Sequence, residues 1–347
     1  MTLTIALDAM GGDHAPQVVI AGADMARERF PDLRFLLYGD ERLLRELVSA
    51  RAQLAGRCEI EHTPERVDPD ARPAQVLRQG RSTSMCLAIE AVKAGRASAA
   101  VSAGNTGALM ALAKFVLKTL PGIERPAIAS LMPTRRSETV FLDLGANAEC
   151  DADNLVQFAV MGEVFARAVL GVTKPTVGLL NIGTEDAKGH ETIREAAAAL
   201  RASHLPIEFR GFVEGTDLTS GKVDVVVTDG FTGNVALKVM EGTVGLYTQF
   251  LREAFKSSLR ARIGYALANP ALQLLRQKLD PRRYNGAMFL GLNGIVVKSH
   301  GGTDALGFAN AIGVAVDLVQ QGTNQRITAE LNRLEEEANR RRHARAS

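Results

Sequence analysis

The chain has 347 residues, 46% hydrophobic and 23% charged, with a formal net charge of +2. This composition supports a core of ordinary density and excludes a low-complexity or disordered chain. A charge so near balance marks no class of macromolecular partner, and no nucleic-acid partner is expected.

Residues 3–7 (LTIAL) predict a short buried strand that ends in Asp8-Ala-Met-Gly-Gly-Asp13, followed by His14 and Pro16. Gly11 and Gly12 between two aspartates suit either an active-site loop or a structural turn capped by Asp13. A helix follows to about residue 29, then a strand over 34–38. Asp40 caps a helix with Leu43, Leu44 and Leu47 on one face. Residues 57–80, broken by Pro64, Pro69 and Pro73, read as loop and short helix. Residues 82–95 are helical, with Met85, Ile89 and Val92 at helical spacing.

The run 97–101 leads as a strand into Ser102-Ala-Gly-Asn-Thr-Gly-Ala108, and Leu109, Leu112 and Phe115 continue as a helix. Gly104 and Gly107 permit a sharp turn and a close approach of backbone to a ligand. The first amides of the helix lack intrahelical acceptors and carry the positive end of its dipole. Such a turn suits a phosphate, with Asn105 and Thr106 as further donors, or is simply a capped helix start.

A connection with a short strand covers 124–133. The strand at 140–144 runs into Gly145-Ala-Asn147, ahead of a helix over 153–170. The strand at 177–180 ends in Asn181-Ile-Gly-Thr-Glu185. Lys188 and His190 then precede a helix over 191–202. The strand at 223–227 ends in Thr228-Asp229-Gly-Phe-Thr-Gly-Asn234 and another helix. The strand at 295–297 is followed by Lys298, His300, Gly301 and Gly302. Ile327, Leu331 and Leu334 are helically spaced, and the basic end at 340–345 is expected to be solvated and frayed.

Five strands thus end in turns rich in Gly, Asn, Asp and Thr, and most lead into helices. Such alternation predicts a mostly parallel sheet covered on both faces, with these turns converging on one cleft at the carboxyl ends of the strands. No linker composition divides the chain, so residues 1–325 are expected to form a single domain, with 326–347 as a C-terminal helix and basic tail. Cys58, Cys86 and Cys150 make neither zinc spacing nor a disulfide framework, so a reducing cytoplasm is expected. No charged leader precedes the first strand, and no apolar run reaches the roughly 18 residues that suggest a membrane span. Dinucleotide, P-loop and nucleophile-elbow fingerprints are missing. Asp8, Asp13, Asp143 and Asp229 are the carboxylates available to a divalent ion, but no metal and no cofactor are expected.

The blocks DAMGGD at 8–13, SAGNTGAL at 102–109, LDLGAN at 142–147, LLNIGTE at 179–185 and TDGFTGNVALK at 228–238 resemble the bacterial phosphate acyltransferase family of phospholipid synthesis. Thr83, Glu149 and His190 depart from the commonest family residues, and none of the five blocks is interrupted. The resemblance implies a three-layer α/β/α sandwich like that of isocitrate and isopropylmalate dehydrogenases. It also implies a homodimer that transfers a fatty acyl group from acyl carrier protein to inorganic phosphate. Phosphate is already a nucleophile and a thioester is already activated, so no covalent enzyme intermediate is required. The site must hold phosphate, aim one oxygen and stabilise an oxyanion.

On that reading Asn105, Thr106 and Gly107 cradle phosphate. Asn147, Thr184 and Asn234 position or polarise, Lys188 supplies positive charge, and Asp229 orients Lys188 or Asn234. Asp8, Gly11, Gly12, Asp13, Ser102, Gly104, Gly183, Glu185, Gly230, Thr232 and Gly233 complete the candidate binding set. The rival enzyme is a short-chain phosphate acyltransferase using coenzyme A thioesters, and the rival outside catalysis is a binding protein on the same scaffold. Carrier proteins of this pathway are acidic, which makes Arg66, Arg72 and Arg78 candidates for docking.

Residues 251–283 add a feature outside the blocks. Leu251, Phe255, Leu259, Ile263 and Leu267 recur every fourth residue, which predicts one helix face, and Pro270 is expected to break the helix into a hairpin. Basic residues at 252, 256, 260, 262, 276, 278, 282 and 283 against acidic ones at 253 and 280 leave the stretch at +6. An apolar face with local basic charge suits peripheral contact with anionic lipid through Leu259, Ile263 and Leu267, or else a dimer interface. The resemblance agrees with the first option. It implies a location at the inner face of the cell membrane, where acyl phosphate passes to an integral glycerol-3-phosphate acyltransferase.

Overall fold

The computed structural model describes residues 3–203, 207–278 and 280–346, without the side chains of 281, 334, 335 and 337–346. In chain order the elements are β1 (Thr4–Asp8), α1 (Gln17–Arg29), β2 (Arg34–Gly39), α2 (Glu41–Ser49), α3 (Ala52–Ala55), β3 (Cys58–His62), α4 (Pro73–Gln79), α5 (Ser84–Lys93), β4 (Ala99–Ser102), α6 (Thr106–Leu117), β5 (Ala127–Pro133) and β6 (Glu138–Leu142). They continue as α7 (Ala152–Leu170), β7 (Thr176–Leu180), α8 (Glu191–Ala202), β8 (Glu208–Val213), β9 (Val225–Val227), α9 (Gly230–Lys256), α10 (Leu259–Lys278), β10 (Ala287–Leu290), β11 (Ile295–Lys298), α11 (Ala305–Gln320) and α12 (Thr323–Ala346).

The strands form one sheet in the order β3-β2-β1-β4-β11-β10-β5-β6-β9-β7-β8. Alternate strand residues feed two cores, because successive side chains point to opposite faces. Ile5, Leu7, Phe35 and Leu37 pack with Ile20 of α1, Phe158 of α7 and Phe308 of α11. Ala6, Leu36 and Tyr38 pack on the other face with Met85 of α5 and Leu109 of α6. The result is the three-layer α/β/α arrangement expected.

The expectation of one cleft is corrected by strand direction. β1, β2, β3, β4 and β11 run parallel, but β10 is antiparallel to both β11 and β5, and β5 is antiparallel to β6. β9, β7 and β8 continue parallel to β6. The sheet therefore reverses in its middle. The carboxyl ends of β1, β4 and β11 point one way, and those of β6, β9 and β7 point the other. The motif turns form two groups, separated across the sheet by β10 and β5.

Residues 57–80 supply the short helix expected, α4, and differ in adding edge strand β3. The hairpin also differs. Its bend lies at Ser257 and Ser258, between α9 and α10, and Pro270 lies inside α10 without ending it. The serines supply the end signals: Ser257 Oγ donates to the carbonyl of Ala254, and Ser258 Oγ accepts from the amide of Ala261. α12 runs to Ala346; the side chains of Leu334 and of the basic end at 340–345, where fraying is expected, lie outside the described residues.

Candidate active site

The first group gathers at the carboxyl ends of β1, β4 and β11. Asp8 closes β1 and is 1% exposed; its two oxygens accept the hydroxyls of Ser84 and Ser102, each at 2.6 Å. Burial pushes its carboxyl above the usual range, against the pull of these bonds. The Ser102 hydroxyl in turn accepts from the amide of Gly104 at 3.0 Å. A side chain at Gly11 would meet Asp8 Oδ2 at 2.3 Å, so only glycine lets this turn fold over the carboxylate. Asp13 is exposed, and its amide donates to the carbonyl of Gly301.

Asn105 is the cap of α6. Its Oδ1 accepts from the amide of Ala108 at 2.8 Å, and its Nδ2 donates to the carbonyl of Pro69 at 2.7 Å. Both ends of that side chain are thus engaged in holding the turn. The cap leaves the amides of Thr106 and Gly107, both exposed residues, without intrahelical acceptors. Pro73 of α4 lies against Gly107, which brings the exposed Arg72 and Arg78 to the border of this turn.

The second group gathers at β6, β9 and β7. Asp143 is wholly buried and accepts the amides of Ile128, Gly145, Ala146 and Asn147, together with Asn147 Nδ2. Asn147 also donates to the carbonyl of Pro126. Asp229 caps α9, with Thr232 supplying its amide at 2.8 Å and its hydroxyl at 2.7 Å. Asn234 donates to the carbonyl of Leu144 at 3.2 Å. In place of the bond expected from Asp229 to Lys188 or Asn234, the aspartate thus holds its own helix start.

Gly230 and Gly233 allow α9 to press on the 143–147 turn; a Cβ at 233 would lie 1.9 Å from the carbonyl oxygen of Asp143. Asn181 ties the next turn by donating to the carbonyl of Lys188, with Gly183 buried and Thr184, Glu185 and Lys188 exposed. Within one chain the structure does not bring Lys188, Asp229 and Asn234 to the turn formed by Asp8, Ser102 and Thr106.

The model of the family described as "Fatty acid synthesis protein" matches residues 3–326. The "Phosphate acyltransferase" of Rhodospirillum centenum is 66% identical over 331 residues, covering 95% of this chain and 93% of its own. That of Paramagnetospirillum magneticum is 61% identical over 332 residues, covering 96% and 95%. The chain belongs to the phosphate acyltransferase family. It is therefore an acyltransferase of fatty acid and phospholipid synthesis. A phosphotransacetylase from Streptococcus pyogenes has the same fold, with a TM-score of 0.61 at 18% identity over 92% of this chain and 94% of that one. A 4-hydroxythreonine-4-phosphate dehydrogenase from Klebsiella pneumoniae also matches, with a TM-score of 0.54 at 17% identity over 92% and 99%.

The acyltransferase carries its hairpin as an exposed arm. Residues 241–250 of α9 are all at the surface, and α10 buries none of its residues. Leu259, Ile263 and Leu267 are 73%, 56% and 79% exposed. A groove of about 1150 Å³ runs between the arms, with Leu251, Phe255, Leu272 and Leu275 inside and Arg252 and Arg276 among its lining. No helix among the described residues is long and apolar enough to cross a membrane.

Two residues of the first group were not among the candidate site residues read from the sequence. Ser84 lies at the start of α5, well away from the glycine-rich turns, and only the fold brings it to Asp8. Lys298 ends the apolar run of β11 and is buried, 9% exposed. A lysine closing a buried strand was the available signal, since lysine is rarely buried without a partner.

Proposed function

We propose that this acyltransferase moves a long-chain fatty acyl group from acyl carrier protein to inorganic phosphate. A phosphate oxygen attacks the thioester carbonyl, the carbon–sulfur bond breaks, and the carrier leaves as its thiol. The product is acyl phosphate, the precursor of phosphatidic acid. The observation that carries this reading is the 66% identity over 95% of the chain to a phosphate acyltransferase, within a family described by fatty acid synthesis.

The phosphate is assigned to the first group, at the amides of Thr106 and Gly107, where a helix start offers free donors and a favourable dipole. Gly11, Gly12, Asp13, Ser102 and Gly104 shape that turn around Asp8. Lys188 in the second group is an exposed cation assigned to anionic substrate, with Asn147, Thr184 and Asn234 shaping its surroundings. Arg72 and Arg78 border the first group through Pro73, and with the exposed Arg66 they suit an acidic carrier protein. The exposed arm, with Leu259, Ile263 and Leu267 beside basic residues, suits peripheral contact with anionic lipid at the inner face of the membrane. There a lipid-soluble product passes to an integral glycerol-3-phosphate acyltransferase. The protein acts as a homodimer and uses no cofactor.

The test is incubation with long-chain acyl carrier protein and phosphate, followed by mass spectrometry for acyl phosphate. Formation from the carrier thioester is expected. Turnover with coenzyme A thioesters alone overturns the donor, and no acyl phosphate from either donor overturns the reading.

A further inference from the structure

Lys298 is the one element of the first group that the turn itself does not explain. Its ammonium has three N–H donors. It donates to the carbonyl of Ala103 at 3.3 Å and to the carbonyl of its neighbour Ser299. Among the described residues no carboxylate oxygen comes within 4.0 Å of it. Asp13 and Asp8 act on it only from farther away, and burial lowers its proton affinity to about 8. A buried cation held only by neutral carbonyls is a costly arrangement, and an anion beside it removes most of that cost.

The surroundings fit such an anion. Ala103, which accepts from the ammonium, is two residues ahead of the cap of α6. The turn at Gly12 packs on Ala103 and Gly301, with hypothetical Cβ contacts of 2.9 and 3.2 Å. Three backbone turns, at 8–13, 102–106 and 298–302, therefore stand against one another. A compact ammonium beside helix-start amides is an arrangement suited to an oxyanion such as phosphate, with the ammonium as a point charge.

We propose that Lys298 binds the attacking inorganic phosphate together with the free amides of Thr106 and Gly107. The proposal rests on the phosphate-acceptor reading above, and it adds the charge that reading lacks on this edge of the sheet. Phosphate bound there neutralises the buried ammonium, and Lys298 in return holds the nucleophile at the start of α6.

The variants are Lys298→Met and Lys298→Arg, assayed with saturating acyl donor and varied phosphate. Lys298→Met is expected to raise the KM for phosphate by about 50-fold, the scale of a charge-assisted hydrogen bond, with a smaller rise in Lys298→Arg. An unchanged KM for phosphate with a lowered melting temperature makes Lys298 a counter-charge for Asp8 and overturns the proposal. A second measurement uses the wild-type protein alone. Acetic anhydride labels lysines in competition, and mass spectrometry follows Lys298 with inorganic phosphate or with chloride at matched ionic strength. Protection by phosphate is expected, and equal labelling in the two salts overturns the proposal even where the variants do not fold. If the wild type forms no acyl phosphate yet phosphate protects Lys298, the anion site stands and the reaction reading is what fails.

Discussion

Replacing Leu259 and Ile263 together by glutamate removes apolar surface from the exposed side of α10 and adds two negative charges. Full burial of a leucine or isoleucine side chain contributes about 2 kcal/mol. Scaled by their exposures of 73% and 56%, the two side chains offer a lipid surface roughly 2.5 kcal/mol. Each added charge costs about 1 kcal/mol against an anionic leaflet. The loss is therefore about 4–5 kcal/mol, or on the order of a thousandfold in partitioning. The assay is flotation with phosphatidylglycerol-containing vesicles over a salt series. Wild type should float at low salt and less at high salt, because the hairpin's charge of +6 is screened. The melting temperature should not move, since neither side chain is buried. A double variant that floats as well as wild type refutes the role of this helix. If neither protein floats at any salt concentration, membrane contact itself is refuted.

Lys188→Ala should lower turnover by at least about tenfold with little change in melting, because its side chain is exposed; an unchanged rate removes Lys188 from the chemistry. Gly233→Ala forces a Cβ to 1.9 Å from the Asp143 carbonyl, and the backbone must move. A cost of about 3 kcal/mol over a chain of 347 residues corresponds to a fall of roughly 4 °C in calorimetry, and an unshifted transition refutes the contact. Lys298 makes a pH prediction. Its ammonium loses its proton near 8 in the folded chain and near 10.5 in the unfolded one, so the unfolded chain binds more protons between these values. In phosphate-free buffer, wild type should gain on the order of 3 kcal/mol relative to Lys298→Met as pH rises through that window. Denaturant titrations that show no gain, or a loss, contradict the assignment.

Much of the sheet was legible because its parallel strands are apolar runs with glycine-rich ends, and each such end starts a helix or a loop over the next strand. The reversal was missed. β10 is four residues, AMFL, and the Gly291-Leu-Asn-Gly294 turn that joins it to β11 was the available hairpin signal. The β5–β6 connection uses Thr134 and Ser137 bonds with no glycine or asparagine to announce a hairpin. An apolar run does not reveal whether its neighbour runs with it or against it, so five similar turns looked like one cleft. The hairpin bend was misplaced for a related reason. Pro270 is a strong helix breaker in a packed interior, yet on an exposed arm water can satisfy the carbonyl that it frees. Two serines set the end of α9 instead. Within the site, the helix starts were visible, but the cap roles of Asn105 and Asp229 were not, because the residues read as ligand or orienting groups and their bonds to Pro69 and Thr232 form only in the folded chain.

The reversal has a consequence for where the arm stands. α10 returns to the body through residues 281–284 and enters β10, whose first residue, Ala287, pairs with Lys298. Asn285, at the foot of the arm, is buried and donates to Ser299 Oγ, Thr303 Oγ1 and the carbonyl of Gly307, while its Oδ1 accepts from the amide of His300. Arg282 adds an ion pair to Asp304, the cap of α11. The exposed pair adds little stability by itself, but the four buried bonds of Asn285 fix the foot of the arm to the loop that follows Lys298. The second group of turns, at the opposite end of the sheet, meets the arm at its other helix, where Asp229 caps α9 and Asn234 donates to the carbonyl of Leu144. If acyl phosphate forms beside Lys298, the product appears at the foot of the arm proposed to contact lipid, and a long acyl chain has only the length of that arm to travel. Asn285→Ala tests this coupling, because it cuts the buried bonds and leaves the apolar face of α10 intact. Vesicle flotation should persist, while turnover on vesicles falls toward the rate without them. Loss of flotation in that variant, or a vesicle response equal to wild type, contradicts a rigid connection between the two.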